Sequence, residues 1–257
     1  MPHDPTTTPP PTRAAPHPLS VALLLADARL PGGGHAHSAS LEPALRGGMP
    51  PADVPAWMVG RATTVGLVEA GTAVVAARLL ADAAPGDPDT AGRLDGVVRA
   101  WAARTPSPAL REASRLLGRG YLRVARALWP QSVAVRALVT YEAAQPARHG
   151  PAQRSGTLPR AVVLGAVAAA AGLTPEDVVR LTVYDDAQTA ASALLKLEPL
   201  DPLAPARWVL DACAAAEEHV LRVAACATPE DVPASGAPLT EGWAEAHALT
   251  TQRLFRA

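Results

Sequence analysis

The chain has 257 residues and a formal net charge of −1. That length can bury a substantial core within one domain, and near-neutrality removes any general electrostatic drive toward nucleic acid or an anionic membrane. Apolar residues make up 49% of the chain and aromatic residues only 4%, so alanine, leucine and valine must do the packing. Alanine is the best helix former, and no alternating strand pattern competes with it. The expectation is an all-α fold, a single compact helical bundle of roughly ten helices.

In chain order, residues 1–18 are rich in proline and threonine and offer little to bury, which predicts a disordered tail ahead of a helical domain over 19–257. A short helix follows over Leu19–Ala28 and stops before Pro31-Gly32-Gly33-Gly34. Ser38 or Ser40 can cap the next, brief helix. Ala52–Ala83 has helical composition throughout, and Gly60, Gly66 and Gly71 within it signal close packing or a break. Pro85-Gly86-Asp87-Pro88 interrupts the chain.

The pattern is clearest over Ser107–Leu128. Ser107 suits an N-cap and Pro108 the first helical position. Leu110, Ala113, Leu117, Tyr121, Val124 and Leu128 recur at steps of three and four, which marks one helix face. Arg111, Arg115, Arg119 and Arg126 fall off that face, as a solvated stripe or a surface for an acidic partner. A helix over Gln131–Ala144 leads to a break at Gln145–Pro159. Pro159–Ala171 is apolar all round and belongs at the centre of the bundle. Thr174-Pro175-Glu176-Asp177 is a strong helix start, with the helix running to about Leu197. Pro199 and Pro202 break the chain before Leu203–Ala225, where Val209, Cys213, Ala216, Val220 and Ala224 form a second stripe. Pro229–Pro238 is a further break, and a last helix covers Thr240–Leu254.

Cys213 and Cys226 are read as lying in one predicted helix, where 13 residues of rise would hold them about 20 Å apart, too far to bridge. A reducing cytoplasm fits that usage, and without a basic-then-apolar leader no export is expected. The apolar stretch Ala161–Leu173 is shorter than the roughly 20 residues a membrane span needs.

Lys196 is the only lysine, and it lies in Leu194-Leu195-Lys196-Leu197. A Walker loop needs Gly-Lys-Ser/Thr after a glycine-rich turn, so this chain is not a P-loop GTPase. It carries no C-x-x-C, H-E-x-x-H or G-x-S-x-G motif either. His35 and His37 are the one close pair of imidazoles. Two ligands without a third make a poor transition-metal site, so they are weak candidates for nickel. Tyr184-Asp185-Asp186, with Glu217, could serve as acid and base in an all-helical small-molecule enzyme, but an adjacent acid pair on a helix is more often exposed. Glu217, Glu218 and His219 are consecutive and point in different directions. Cys213, on an apolar stripe, reads as a small buried hydrophobe. Phe255, the only phenylalanine, sits in an apolar pair flanked by arginines, which suits a docked chain end.

The run Leu23-Leu24-Leu25-Ala26-Asp27-Ala28-Arg29-Leu30-Pro31-Gly32-Gly33-Gly34-His35-Ala36-His37-Ser38, followed by Leu41-Glu42, resembles the opening signature of the UreF family of urease accessory proteins. The similarity continues near Leu117 and Leu164, through Ala190–Leu200, and to Arg253-Leu254-Phe255. His35 stands where the family usually has Phe, Lys196 where it has Arg, and Asp201-Pro202 where it has Gly-Gln. The resemblance implies an all-α, non-enzymatic, cytoplasmic chaperone that dimerises. It would join UreD (also called UreH) and the GTPase UreG in nickel insertion into apo-urease, and regulate that GTPase. It implies no cofactor on this chain, with nickel and GTP on partner proteins. It also implies partner-binding roles: His37, Ser38 and Glu42 organising the N-terminal turn, Lys196 and Leu200 shaping a loop that faces a partner, and Arg253, Leu254 and Phe255 docking the C-terminal tail.

Overall fold

The computed structural model describes residues 15–27, 29, 30, 32–84, 87, 89–149, 158–251, 254 and 255. Among these there are twelve α-helices and no strand: α1 Pro18–Leu25, α2 Leu41–Arg46, α3 Val54–Ala62, α4 Val65–Ala81, α5 Thr90–Ala103, α6 Pro108–Leu128, α7 Val133–His149, α8 Arg160–Ala171, α9 Pro175–Leu197, α10 Leu203–Glu217, α11 Val220–Ala224 and α12 Pro238–Ala248. The all-α expectation holds. Residues 1–14 of the expected tail and the centre of the Gln145–Pro159 break lie outside the described residues. Pro18, placed in the tail by composition, already begins α1, with the His17 ring accepting from the Leu19 amide at 3.2 Å.

Helix starts follow the capping chemistry. Ser107 Oγ accepts from the Leu110 amide at 3.1 Å at the head of α6. Thr174 Oγ1 accepts from the Asp177 amide at 3.1 Å at the head of α9. Each satisfies a backbone donor that the first helical turn leaves unpaired. At the head of α2 the two serines divide the work. Ser40 holds the cap position in a left-handed conformation (φ 70°) without a side-chain bond, and the hydroxyl of Ser38 accepts from the Glu42 amide at 3.2 Å.

The stretch Ala52–Ala83, helical in composition throughout, is broken at Thr63–Thr64 rather than at one of its glycines. Thr63 Oγ1 bonds the Val59 carbonyl at 3.0 Å and Thr64 Oγ1 the Gly60 carbonyl at 2.7 Å, so threonine hydroxyls take the last acceptors of α3. Thr64 then leaves helical geometry (φ −125°, ψ −91°). Pro51–Ala81, longer than Ala161–Leu173, is long and apolar enough by length and composition alone to cross a membrane. Here it is two helices of the core, and 61% of its most apolar window is buried.

A second correction falls on the predicted helix over Leu203–Ala225, which turns at Glu218–His219 between α10 and α11. Cys213 therefore lies on α10 and Cys226 just past the end of α11; both are free thiols. Cys213 is half-buried beside the stripe, and Ala212 takes the fully buried position. The last helix ends at Ala248, short of the predicted Leu254. Helix α5 was not anticipated, although Leu94, Val97 and Trp101 recur at helical steps and are fully buried.

The core has two apolar clusters. The larger gathers α4, α5, α7, α8 and the first turns of α9 through Val178, Val179 and Leu181. The smaller gathers α2, α3, α10 and the rest of α9 through Val183, Ala187, Ala190, Ala191 and Leu194. Helices α4 and α8 make the most extensive pairing. They meet at Gly165, where a β-carbon would lie 2.5 Å from the Ala73 carbonyl oxygen. Helix α9 threads both clusters and fixes what stands at the seam.

Candidate functional site

The first candidate region grows from the N-terminal turn. Gly33 takes a left-handed conformation (φ 94°), and Ala39 and Ser40 follow at φ 51° and 70°. Such conformations cost about 1–3 kcal/mol each in residues bearing a β-carbon, so the surrounding structure must enforce them. His37, Ser38, Ser40 and Glu42 are all buried, Glu42 completely.

A buried carboxylate needs compensation, and Glu42 draws it from three parts of the chain. Arg46 Nη2, one turn on, lies 2.9 Å from Oε1. The amides of Leu254 and Phe255 donate to Oε1 and Oε2 at 2.8 and 2.7 Å. His247 Nε2 of α12 lies 3.6 Å from Oε2. Phe255 is buried (3% exposed), and the Lys196 ammonium at the end of α9 sits 5.2 Å from its ring centroid, within cation–π range. Ser38, Glu42, Lys196, Leu254 and Phe255 thus meet at one node. His37 lines the cavity of about 270 Å³ that Lys196 and Phe255 also line.

Leu200 does not join this node; it packs on the smaller core cluster. Asp201 Oδ1 accepts from the Leu203 amide at 3.0 Å, so the Asp201-Pro202 departure opens helix α10. Arg253 and the His35 side chain lie outside what the structure describes. Among the described residues no group of three or more metal-ligating side chains is assembled.

The second region was missed from sequence. Asp185 and Asp186, expected on an exposed face, are instead turned into the seam between the clusters. Arg61 of α3 grips Asp186 with Nε to Oδ2 at 2.6 Å and Nη2 to Oδ1 at 3.0 Å. Arg160 at the head of α8 pairs with Asp185, to which Tyr121 of α6 donates its hydroxyl at 3.3 Å. Glu69 of α4 accepts from Trp101 Nε1 at 2.6 Å, with Arg160 Nε 3.9 Å away. Three carboxyl groups face two guanidiniums in low dielectric. Burial raises Glu69 above the ordinary glutamate range against the pull of Arg160 and Trp101. Burial would also raise Asp186, but Arg61 overcomes it and holds that carboxylate low. A cavity of about 80 Å³ lies over the network, with Leu110, Ala113 and Leu117 on its rim. That rim explains why the upper part of the predicted α6 stripe is only half-buried. The signal available in sequence was helical phase: Asp186 keeps step with Val179, Val183 and Ala190, all buried.

These ion pairs occupy the carboxylates that an acid–base reading would use. Glu217 is likewise held by Arg180, Nη2 to Oε1 at 2.5 Å on the surface. Of the α6 arginines, Arg119 and Arg126 are exposed as expected. Arg111 instead donates to the Thr105 and Pro106 carbonyls at 2.7 and 2.8 Å, and Arg115 stacks 5.7 Å from the Trp101 ring.

Residues 50–213 match the UreF family profile. The chain is 38% identical over 188 residues to the urease accessory protein UreF of Mycobacterium marinum, covering 71% of this chain and 76% of that protein. It is 35% identical over 241 residues to the urease accessory protein UreF of Mycobacterium sp. strain JLS, covering 92% and 98%. The protein of that name from Mycobacterium tuberculosis strain H37Ra is 38% identical over 186 residues, covering 72% and 75%.

Proposed function

Because this chain belongs to the UreF family of urease accessory proteins, an accessory rather than an enzyme family, we propose that it works as an adaptor in urease maturation. In this reading it acts in the cytoplasm as a homodimer within a complex with UreD (UreH) and the GTPase UreG. It regulates that GTPase and assists nickel insertion into apo-urease. Nickel and GTP are held by the partners.

The observation that supports an adaptor role most directly is the node at Glu42. It joins the N-terminal turn, the end of α9 and the C-terminal segment on one side of the molecule. The residues divide by exposure. His37, Ser38, Glu42 and Phe255 are buried, so they shape the surface rather than touch a partner. Lys196 and Leu254 are exposed and are the contact residues; for Leu200 and Arg253 a partner contact rests on the family resemblance alone.

Co-expression with tagged UreD and with UreG tests this. Wild-type chain should be retained with both, and Lys196→Glu should lower UreG retention about tenfold, a loss of about 1.4 kcal/mol, while UreD retention stays unchanged. Failure of the wild-type chain to co-purify with either partner would contradict the proposal.

A further inference from the structure

We infer that the solvent face of α10 is where a second copy of this chain packs, its own α10 running antiparallel across the first about a two-fold axis level with Ala212. The inference rests on the homodimer proposed above and names the face that forms it. Helix α10 has two apolar sides. Pro205, Val209, Ala212 and Ala216 are buried in the protein. On the opposite side Leu203, Leu210 and, just past the turn on α11, Leu221 are 75%, 67% and 75% exposed. Singly exposed leucines are ordinary, but these belong to a regular line. Leu203, Arg207, Leu210, Ala214, Glu217 and Leu221 recur at alternating steps of four and three, and all are exposed. That is the spacing at which two helices meet along a seam.

The charges select the occupant. In an antiparallel pair related by a two-fold axis, residues equally far from the axis along the chain face each other. About Ala212, Leu203 faces Leu221 of the second copy, Leu210 faces Ala214, and Arg207 faces Glu217, each contact occurring twice. Leucine thus meets leucine or alanine and cation meets anion, so the face is complementary to itself. Parallel packing would instead set Arg207 on Arg207 and Glu217 on Glu217, which like-charge repulsion disfavours. Glu217 is held on its own protomer by Arg180, Nη2 to Oε1 at 2.5 Å, and its side chain stays 52% exposed. The carboxylate is therefore fixed in place and open to an incoming guanidinium.

Sedimentation velocity of the isolated full chain across micromolar concentrations tests this, with circular dichroism to check folding. The wild-type chain should be a dimer. Leu210→Arg sets a charge on the seam twice and should weaken dimerisation about tenfold or more; the position is exposed, so the fold itself is spared. Arg207→Glu sets acid against acid at both ends and should weaken it by a similar factor. Adding Glu217→Arg should restore it, because the two charges then exchange places. The Arg180 pair lost in that double variant lies on the surface, and the fold does not depend on it. A wild-type chain that stays monomeric would overturn the homodimer and this face with it. A dimer indifferent to both Leu210→Arg and Arg207→Glu would overturn the face alone. A double variant no tighter than Arg207→Glu would overturn the antiparallel register.

Discussion

Arg61 and Asp186 lie 125 positions apart in the sequence and form a two-point ion pair at 2.6 and 3.0 Å, with side chains only 11% and 12% exposed. The pair joins α3 to α9 across the seam between the two core clusters. Removing one member leaves the other buried and uncompensated, a loss of about 3–5 kcal/mol. Asp186→Asn should lower the urea midpoint accordingly, and the double change Arg61→Met, Asp186→Leu should recover most of it. An unchanged midpoint in Asp186→Asn would show that the pair does not hold the seam.

Glu69 gives this seam a pH dependence of the opposite sign to that of a typical salt-bridged carboxylate. Burial raises its folded pKa, so the folded chain keeps a proton that the unfolded chain releases in the ordinary glutamate range, roughly pH 4–5. Stability contributed by this group is fully present below that range. It falls as pH rises through it toward the folded pKa, and is level above. Glu69→Gln removes the titration. The stability of the variant relative to wild type should therefore rise with pH across that window in urea titrations at several pH values, and a flat difference would contradict the assignment.

Two glycines in helices should respond in opposite directions. At Gly165 an added β-carbon meets the Ala73 carbonyl at 2.5 Å and the Ala76 side chain at 2.8 Å, so Gly165→Ala forces α4 and α8 apart and should destabilise by about 1–3 kcal/mol. At Gly60, exposed in α3, an added β-carbon meets nothing within 4 Å. Gly60→Ala should stabilise by about 0.5–1 kcal/mol through helix propensity. Thermal unfolding of both variants checks the pair; a shared sign would refute the packing described for α4 and α8.

What was legible in the sequence follows physical range. Local chemistry wrote itself plainly: Ser107 and Thr174 cap as their spacing predicts, and the apolar Arg160–Ala171 helix is central. The docking of Phe255 could be anticipated from a lone aromatic at a chain end, but its anchor on Glu42 could not, because 213 residues separate them. The glycines of Ala52–Ala83 allowed for a break but did not place it at Thr63–Thr64, and the break at Glu218–His219 was hidden by a composition that remains helical on both sides. Asp185-Asp186 was misplaced because an acid pair is ordinarily solvated; only the arginines brought by α3 and α8 make its burial tolerable.

Nickel binding by the isolated chain should not depend on the paired imidazoles. His37 is buried, and the described residues assemble no three-ligand group. Calorimetric titration of nickel into wild type and a His35→Ala, His37→Ala double variant should give the same weak binding. A site of micromolar or better affinity, about 8 kcal/mol, lost in the double variant would make this chain a carrier in its own right.

The central claim is that the chain matures urease through its surfaces while partners hold nickel and nucleotide. Its most direct test is the nickel content and specific activity of urease purified from cells lacking this gene. The account predicts nickel-poor, inactive urease, restored by the wild-type gene supplied on a plasmid. Fully nickel-loaded, active urease from the deletion strain would contradict it.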